Sequence, residues 1–214
     1  AHKPGSGGYE GRDSDAGPKD LSADYAAILD AEKVEQAIVA GHCSGGLYAL
    51  QFAKAHPKRC RGLILIDTGT PFTGRKELMA LPRALRRTFL PARYIPEVLL
   101  VPHRIFAANF KRSADSEAAV VDYFFEDDPI DQMLTRTDRQ YYEITRRIIE
   151  YSFEDVERLV ADVTRWARDW SELLRVVDTH QIHFIHGETN NLFAADKIED
   201  WVKTQDNASA EIAT

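Results

Sequence analysis

Cysteine is scarce in this sequence. Cys43 and Cys60 are its only two cysteines among 214 residues, and their spacing matches neither paired metal ligands nor a disulfide framework. This scarcity excludes the small disulfide-rich secreted folds, and no signal-peptide pattern is present. We therefore expect no metal site and a reducing, cytoplasmic location.

Positive charge and long apolar runs are also in short supply. The 27 Lys and Arg residues are outnumbered by 34 Asp and Glu, which gives a formal charge of −7 and argues against a nucleic-acid partner. No apolar run reaches the roughly 18 residues that a membrane helix needs. An apolar fraction of 44% fits an ordinary globular domain, or a core with an insertion.

The sequence does contain short apolar runs with the length and branching of buried strands. A helical pattern from Ser44 to about His56 follows the first of them, and Pro57 ends it. Strand, helix and strand in this order predict a βαβ unit with parallel neighbouring strands. The four predicted strands lie at 36–41, 62–67, 181–188 and 209–214.

Between 75 and 178 the sequence has no strand-like run and shows helical periodicity instead. The pattern is clearest where Tyr141, Ile144, Ile148 and Ile149 are predicted to share one helix face. Aromatic residues are dense here, and we expect most to form a helix-packing core and some to line an apolar substrate cavity. They include Phe106, Phe110, Tyr123, Phe124, Phe125 and Trp166.

The string GHCSGG lies between the first predicted strand and the following helix. A nucleophile on such a sharp, strained turn needs small residues two positions before and two after it. With Cys43 at the centre these positions are Gly41 and Gly45. With Ser44 at the centre the first would be His42, whose side chain would collide with the turn. The spacing therefore predicts Cys43 as the elbow residue.

The turn offers a thiol two kinds of assistance. The dipole of the following helix favours a thiolate, and the backbone N–H of Ser44 is placed to donate to an oxyanion. Cys43 could instead be a compact apolar residue with no chemistry, as we expect for Cys60 ahead of its strand. His42 is a candidate base, but adjacent side chains on such a turn point apart, so we expect it to be buried and structural instead.

These motifs resemble those of the α/β-hydrolase superfamily. GHCSGGLYALQFAKAHPKRCRGLILIDTG is similar to its elbow, helix and next strand, with Cys where Ser is usual. KPGSGG at 3–8 resembles its Arg-Pro-Gly-x-Gly loop, and the segment around FIHGE resembles its late core strand. The resemblance implies an α/β fold, a partial hydrolase sheet with an inserted all-helical cap. The implied domains are core 1–72, cap 73–179 and core 180–214.

The resemblance also implies where the catalytic acid stands. The family carries it in a Gly-x-x-Asp position after the late strand, and counting from Gly187 that position is Asn190. An Asn can orient a histidine, as in the Cys-His-Asn thiol enzymes. Asp67, at the end of its strand, and Glu188 are the alternatives for the acid. The resemblance equally allows a structural role for Asp67 and no role for Asn190.

The catalytic base has no match among the family positions that this sequence contains. In the family it follows the last strand, so we expect it beyond Thr214. His186 belongs to a common His-Gly pair and is expected to be structural. The sequence is therefore expected to be a fragment of a longer hydrolase, cut at both ends and inactive by itself.

Together these features predict a cofactor-independent hydrolase with Cys43 as nucleophile. Its substrate would be a small, apolar ester, thioester or lactone. One alternative is a ligand-binding or sensory domain without turnover, which the Cys at the elbow and Asn190 at the acid position would suit. The other is an acyltransferase that forms the same intermediate and uses a different acceptor.

Overall fold

The computed structural model describes residues 17–125, 128–190 and 193–213. The KPGSGG motif lies outside these residues. The described chain forms two compact units, one from the described parts of 16–74 and 168–214 and one from those of 75–167. Residues 168–179, which the sequence groups with the helical insertion, belong to the first unit.

The first unit contains a four-stranded parallel sheet. Its strands are β1 Ala37–His42, β2 Cys60–Ile66, β3 Ile182–Gly187 and β4 Ala208–Ala213. They lie side by side in chain order, and every neighbouring pair is parallel. All four predicted strands and the α/β fold class are confirmed.

Helices account for most of the remaining described residues. In chain order they are α1 Pro18–Ala31, α2 Gly45–Ala55, α3 Arg75–Ala80, α4 Arg83–Tyr94, α5 Leu100–Phe110, α6 Ala114–Phe124, α7 Pro129–Thr137, α8 Arg139–Glu154, α9 Val156–Ala167, α10 Ser171–Leu174 and α11 Ala195–Val202. Two 3₁₀ turns lie at Pro96–Leu99 and Arg175–Asp178. No strand lies within the described residues between 75 and 178, as predicted.

One face of the sheet carries the core of the first unit. Helix α2 packs against β1 and β2, α1 packs on α2, and α11 packs on β3 and β4. The side chains beneath them alternate along each strand, so that Leu63, Leu65, Ile182 and Phe184 are buried. On the opposite face Ile38 is 61% exposed, and no described helix of this unit covers it.

The helical unit has a core of its own. Phe110, Val120, Val121, Ile149 and Phe153 form a buried cluster. Partly buried neighbours, Phe106 and Phe125 among them, pack against this cluster. The aromatic core that the sequence predicts is therefore present in α5, α6 and α8.

Helix α8 differs from the prediction in the face that it buries. Thr145, Ile149 and Phe153 are buried, because their four-residue spacing places them together on the core side. Ile144 and Ile148 are 51% and 60% exposed. The predicted shared face is thus split.

No helix in the described residues has both the length and the apolar character to cross a membrane.

Candidate active site

The turn between β1 and α2 consists of Cys43 and Ser44. Cys43 has a φ of +54°, a left-handed conformation that residues other than glycine rarely adopt. Its N–H donates to the carbonyl oxygen of Ile66 at 2.8 Å, and its carbonyl oxygen accepts from the N–H of Gly46 at 3.1 Å. Cys43 as a residue is half-buried.

The glycines around Cys43 meet different surroundings. A Cβ added to Gly41 would lie 2.6 Å from the carbonyl oxygen of Gly45, so this position excludes a side chain as predicted. A Cβ on Gly45 would meet nothing within 4 Å. The second excluded position is Gly46, whose added Cβ would lie 2.2 Å from the Thr68 hydroxyl oxygen. The steric requirement that the sequence analysis placed at Gly45 thus belongs to Gly46.

Thr68 packs against the turn, a role that no pattern in the sequence was used to predict. It is completely buried, and its hydroxyl lies 3.5 Å from the carbonyl oxygen of Gly41 and 3.4 Å from that of Ile66. The signal in the sequence was a Thr directly after the LILID run, at the carboxyl end of a buried strand. Thr68 therefore fills the space beneath Gly46 and ties β1 to the end of β2.

Asp67 holds a second strained backbone position, next to the first. Its φ is +47°, and its N–H donates to the carbonyl oxygen of Ile185 at 2.9 Å. Among the described residues, Lys33, Cys43 and Asp67 are the non-glycine residues with a positive φ. Lys33 lies in the turn after α1. The other two follow neighbouring parallel strands, and strain of this kind tends to gather at functional sites.

The structure brings two of the three candidates for the acid together. Oδ1 of Asp67 accepts from Nδ2 of Asn190 at 3.1 Å and from the N–H of Gly187 at 3.0 Å. Oδ1 of Asn190 accepts in turn from the N–H of Phe193 at 3.0 Å. Both residues therefore belong to one hydrogen-bonded cluster at the carboxyl ends of β2 and β3.

His186 lies beneath this cluster. It is 1% exposed, and its Nε2 donates to the carbonyl oxygen of Phe193 at 2.8 Å. Its Nδ1 lies 3.3 Å from Oδ1 of Asp67 without hydrogen-bond geometry, and it has no hydrogen-bond partner among the described residues. The burial and these two contacts fit the structural role expected for His186.

Two further sequence candidates lie apart from the cluster. The Glu188 side chain is exposed and has no hydrogen bond or ion pair with any described residue, while its N–H donates to the carbonyl oxygen of Ala213 at 2.8 Å. His42 is exposed, so the buried position expected for it is wrong. The alternation along β1 places His42 on the open face of the sheet, with Ile38.

The two cysteines occupy different environments. Cys60 is buried at the start of β2, and its thiol donates to the carbonyl oxygen of Gly62 at 3.4 Å. Burial raises the pKa of the Cys60 thiol, and the bond to Gly62 opposes this only in part. Cys60 is thus part of the core, as expected, whereas Cys43 is half-buried.

The geometry agrees with a comparison of the sequence with known families. The family model described as "alpha/beta hydrolase fold" matches residues 4–211. The chain belongs to the α/β-hydrolase family. The resemblance found in the elbow and the late strand is confirmed, and with it the partial hydrolase sheet.

Individual relatives share shorter or more distant similarity. The chain is 31% identical over 123 residues to "Putative carbamate hydrolase RutD" of Azorhizobium caulinodans, which is 55% of this chain and 46% of that protein. It is 41% identical over 70 residues to the pimeloyl-[acyl-carrier protein] methyl ester esterase of Yersinia enterocolitica, which is 33% of this chain and 26% of that protein. The chain thus spans less than half of either curated relative.

Solved structures support the same fold. A thermophilic esterase from Thermogutta terrifontis, with malate bound, aligns with a TM-score of 0.59 and 15% identity. The alignment covers 92% of this chain and 64% of the esterase. At this identity the likeness concerns the fold.

Proposed function

We propose that the protein is an α/β-hydrolase that cleaves an ester, thioester or lactone with the thiol of Cys43 as nucleophile. The observation that carries the proposal is the strained backbone of Cys43, at a φ of +54° between a strand and a helix. Such strain persists only where the surroundings enforce it, and here Gly41, Gly46 and Thr68 pack closely around the turn. Cys43 is half-buried and not enclosed in the core, as a nucleophile that meets a substrate must be.

The chemistry follows from the position of the thiol. The sulfur attacks the substrate carbonyl carbon, an S–C bond forms, and the negative charge moves to the carbonyl oxygen. The N–H of Ser44, at the start of the 11-residue helix α2, is the proposed donor to that oxyanion. The alcohol or thiol then leaves with a proton, and water hydrolyses the acyl-enzyme and returns the thiol.

A general base is needed to take the proton of the thiol. Following the family pattern, we propose a histidine outside this sequence, oriented by the cluster of Asp67 and Asn190. A thiol ionises more easily than a hydroxyl, so a Cys–His pair requires less support from a carboxylate than a Ser–His pair does. An Asn at position 190, where the family carries a carboxylate, is therefore compatible with turnover.

The choice of a carbonyl substrate is supported by the names of the two relatives described above. Those names refer to a carbamate and to a methyl ester, both of which present a carbonyl carbon to a nucleophile. An apolar acyl group belongs to the proposal on the sequence evidence alone, from the aromatic residues of the expected cap. A cytoplasmic location and independence of cofactors are part of the same proposal.

Asn190 at the acid position also favours a second candidate function. A domain that binds its ligand without turnover does not need a charge there, and this Asn is engaged at both ends of its amide. An acyltransferase with the same intermediate is the third possibility. These candidates differ in whether product appears and in which acceptor is used.

The experiment compares wild type, Cys43→Ala and Cys43→Ser in the full-length protein, with aryl esters and aryl thioesters as probes. We expect Cys43→Ala to lower kcat/KM by about 10³-fold or more, since the nucleophile is lost. Cys60→Ala is the matched control, because it removes the buried thiol and leaves the elbow intact. If Cys43→Ala hydrolyses as fast as wild type, the thiol mechanism is wrong. Ligand binding without any hydrolysis in wild type would favour the binding domain.

A further inference from the structure

We propose that Asp67 is the carboxylate that positions the catalytic base, and that Asn190 holds Asp67 in place and does not act as the acid. This inference rests on the proposed function, since it assigns the orienting role within the same site. It reverses the assignment that the spacing of the family motif implies for Asn190.

The two carboxylate oxygens of Asp67 have different surroundings. Its contacts with the described residues all involve Oδ1, which accepts from Gly187 and Asn190 and faces His186. Oδ2 has no partner among the described residues, and the side chain is 34% exposed. One oxygen therefore fixes the carboxylate, and no described residue occupies the other, which is the oxygen that we assign to an incoming N–H.

Hydrogen bonds fix the orientation of the Asn190 side-chain amide. Oδ1 of Asn190 accepts from the N–H of Phe193, and this bond turns Nδ2 towards Asp67. An amide nitrogen only donates, so Asn190 supplies a proton to the carboxylate. A carboxylate at 190 would instead face that of Asp67 at about 3 Å, and like charges at that distance disfavour each other. The pair accommodates one charge, and Asp67 carries it.

The position of Asp67 in the sheet connects it to the proposed nucleophile. The N–H of Cys43 donates to the carbonyl oxygen of Ile66, the residue directly before Asp67. Both Cys43 and Asp67 follow neighbouring parallel strands in left-handed conformations. An imidazole at this edge would donate Nδ1–H to Oδ2 of Asp67, and its Nε2 would take the proton of the Cys43 thiol as the thiolate forms.

The test relocates the carboxylate in the full-length protein. Asp67→Asn keeps an oxygen for Gly187 and Asn190 but replaces Oδ2 by a donor. Asn190→Asp alone places two carboxylates side by side, at positions 67 and 190. The double variant D67N/N190D moves the single carboxylate to position 190. For Asp67→Asn we expect kcat on an aryl ester to fall by about 10²- to 10⁴-fold, with little change in KM. For the double variant we expect at least a tenfold recovery over Asp67→Asn.

A second measurement follows the thiol without any substrate. Iodoacetamide labelling of Cys43 is followed by mass spectrometry across pH, with buried Cys60 as the internal reference. A positioned imidazole gives Cys43 an alkylation inflection well below that of an ordinary thiol. Asp67→Asn should move that inflection upwards, and the double variant should move it back. A merely structural role for Asp67 would change the unfolding temperature and leave this profile unmoved.

Several outcomes would overturn the inference. Asp67→Asn with wild-type kcat and alkylation profile would remove Asp67 from the mechanism. An increase in activity for Asn190→Asp alone, undiminished in the double variant, would identify position 190 as the acid. Failure of the proposed function is distinguishable, because it appears as unchanged activity in Cys43→Ala whatever residue stands at 67.

Discussion

At the scale of single residues, the site depends on how tightly the turn after β1 is packed. Gly41 lies against the backbone of Gly45, and Gly46 lies against buried Thr68. These contacts leave Cys43 in its left-handed conformation, which costs on the order of 1–2 kcal/mol for a residue with a Cβ. Packing around the turn therefore offsets the local strain at the proposed nucleophile.

The neighbouring glycines of the turn allow a matched test of this packing. Gly46→Ala places a methyl group 2.2 Å from the Thr68 hydroxyl oxygen, so we expect a loss of about 1–3 kcal/mol in the free energy of unfolding. Gly45→Ala meets nothing within 4 Å and lies at the first position of α2, so it should be neutral or stabilising by up to about 1 kcal/mol. Urea unfolding of both variants provides the measurement. Equal stabilities would contradict the role assigned to Thr68.

The sequence predicts some of these residues and not others, for physical reasons. Cys43 and Gly41 were predictable, because a strained turn restricts local residue types. The contact between Asp67 and Asn190 joins two strands that the helical segment separates in the chain, so no local pattern records it. Gly46 was missed because its restriction comes from Thr68, a residue of the next strand end.

At the scale of secondary-structure elements, periodicity gave the type of each element better than the face that it buries. Short runs rich in branched apolar residues predict β1 and β2, as expected for strands of a parallel sheet, whereas β3 and β4 carry polar residues between their apolar ones. In α8 the apolar residues occupy two faces, and the choice between them depends on packing against α5 and α6. The exposed Ile144 and Ile148 show that this choice was not encoded in the apolar pattern alone.

The contact between α6 and α8 gives a prediction about pH. The hydroxyl of Tyr142 donates to Oε1 of Glu117 at 3.0 Å, and burial first, then this bond, raise the pKa of Tyr142 to about 12. In the unfolded chain the group ionises near its ordinary value of about 10. Between pH 10 and 12 the unfolded state thus binds fewer protons, and the stabilising contribution is lost as the pH rises.

Tyr142→Phe should accordingly make the fall in unfolding free energy between pH 10 and 12 shallower. The difference is at most about 1.4 kcal/mol per pH unit, the limit for one proton. Urea unfolding at a series of pH values measures it. Tyr151→Phe, on the same helix, is the control, because the Tyr151 hydroxyl contacts no described residue and the side chain is 50% exposed. Identical slopes for Tyr142→Phe and wild type would contradict the assignment.

At the scale of the whole molecule, the sheet presents one covered face and one open face. Ile38, Ala40 and His42 are exposed along β1, and Ile64 and Ile66 of β2 are only partly buried. Parallel sheets are normally covered on both faces, and exposed apolar strands at a sheet edge promote association. The 214-residue chain on its own should therefore bind a hydrophobic dye and self-associate.

Substitutions at two exposed isoleucines separate the sheet face from surface hydrophobicity in general. Ile38, on β1, is 61% exposed, and Ile28, on α1, is 46% exposed. Ile38→Lys places a charge on the open face beside the edge of β1 that pairs with no described strand, and should lower both dye fluorescence and the apparent mass in light scattering. Ile28→Lys removes a similar apolar side chain from a helix and should change neither. If the two variants lower association equally, general surface hydrophobicity drives it. If only Ile38→Lys lowers association, the open face of the sheet drives it. Polypeptide that covers this face would then suppress the same dye and scattering signals.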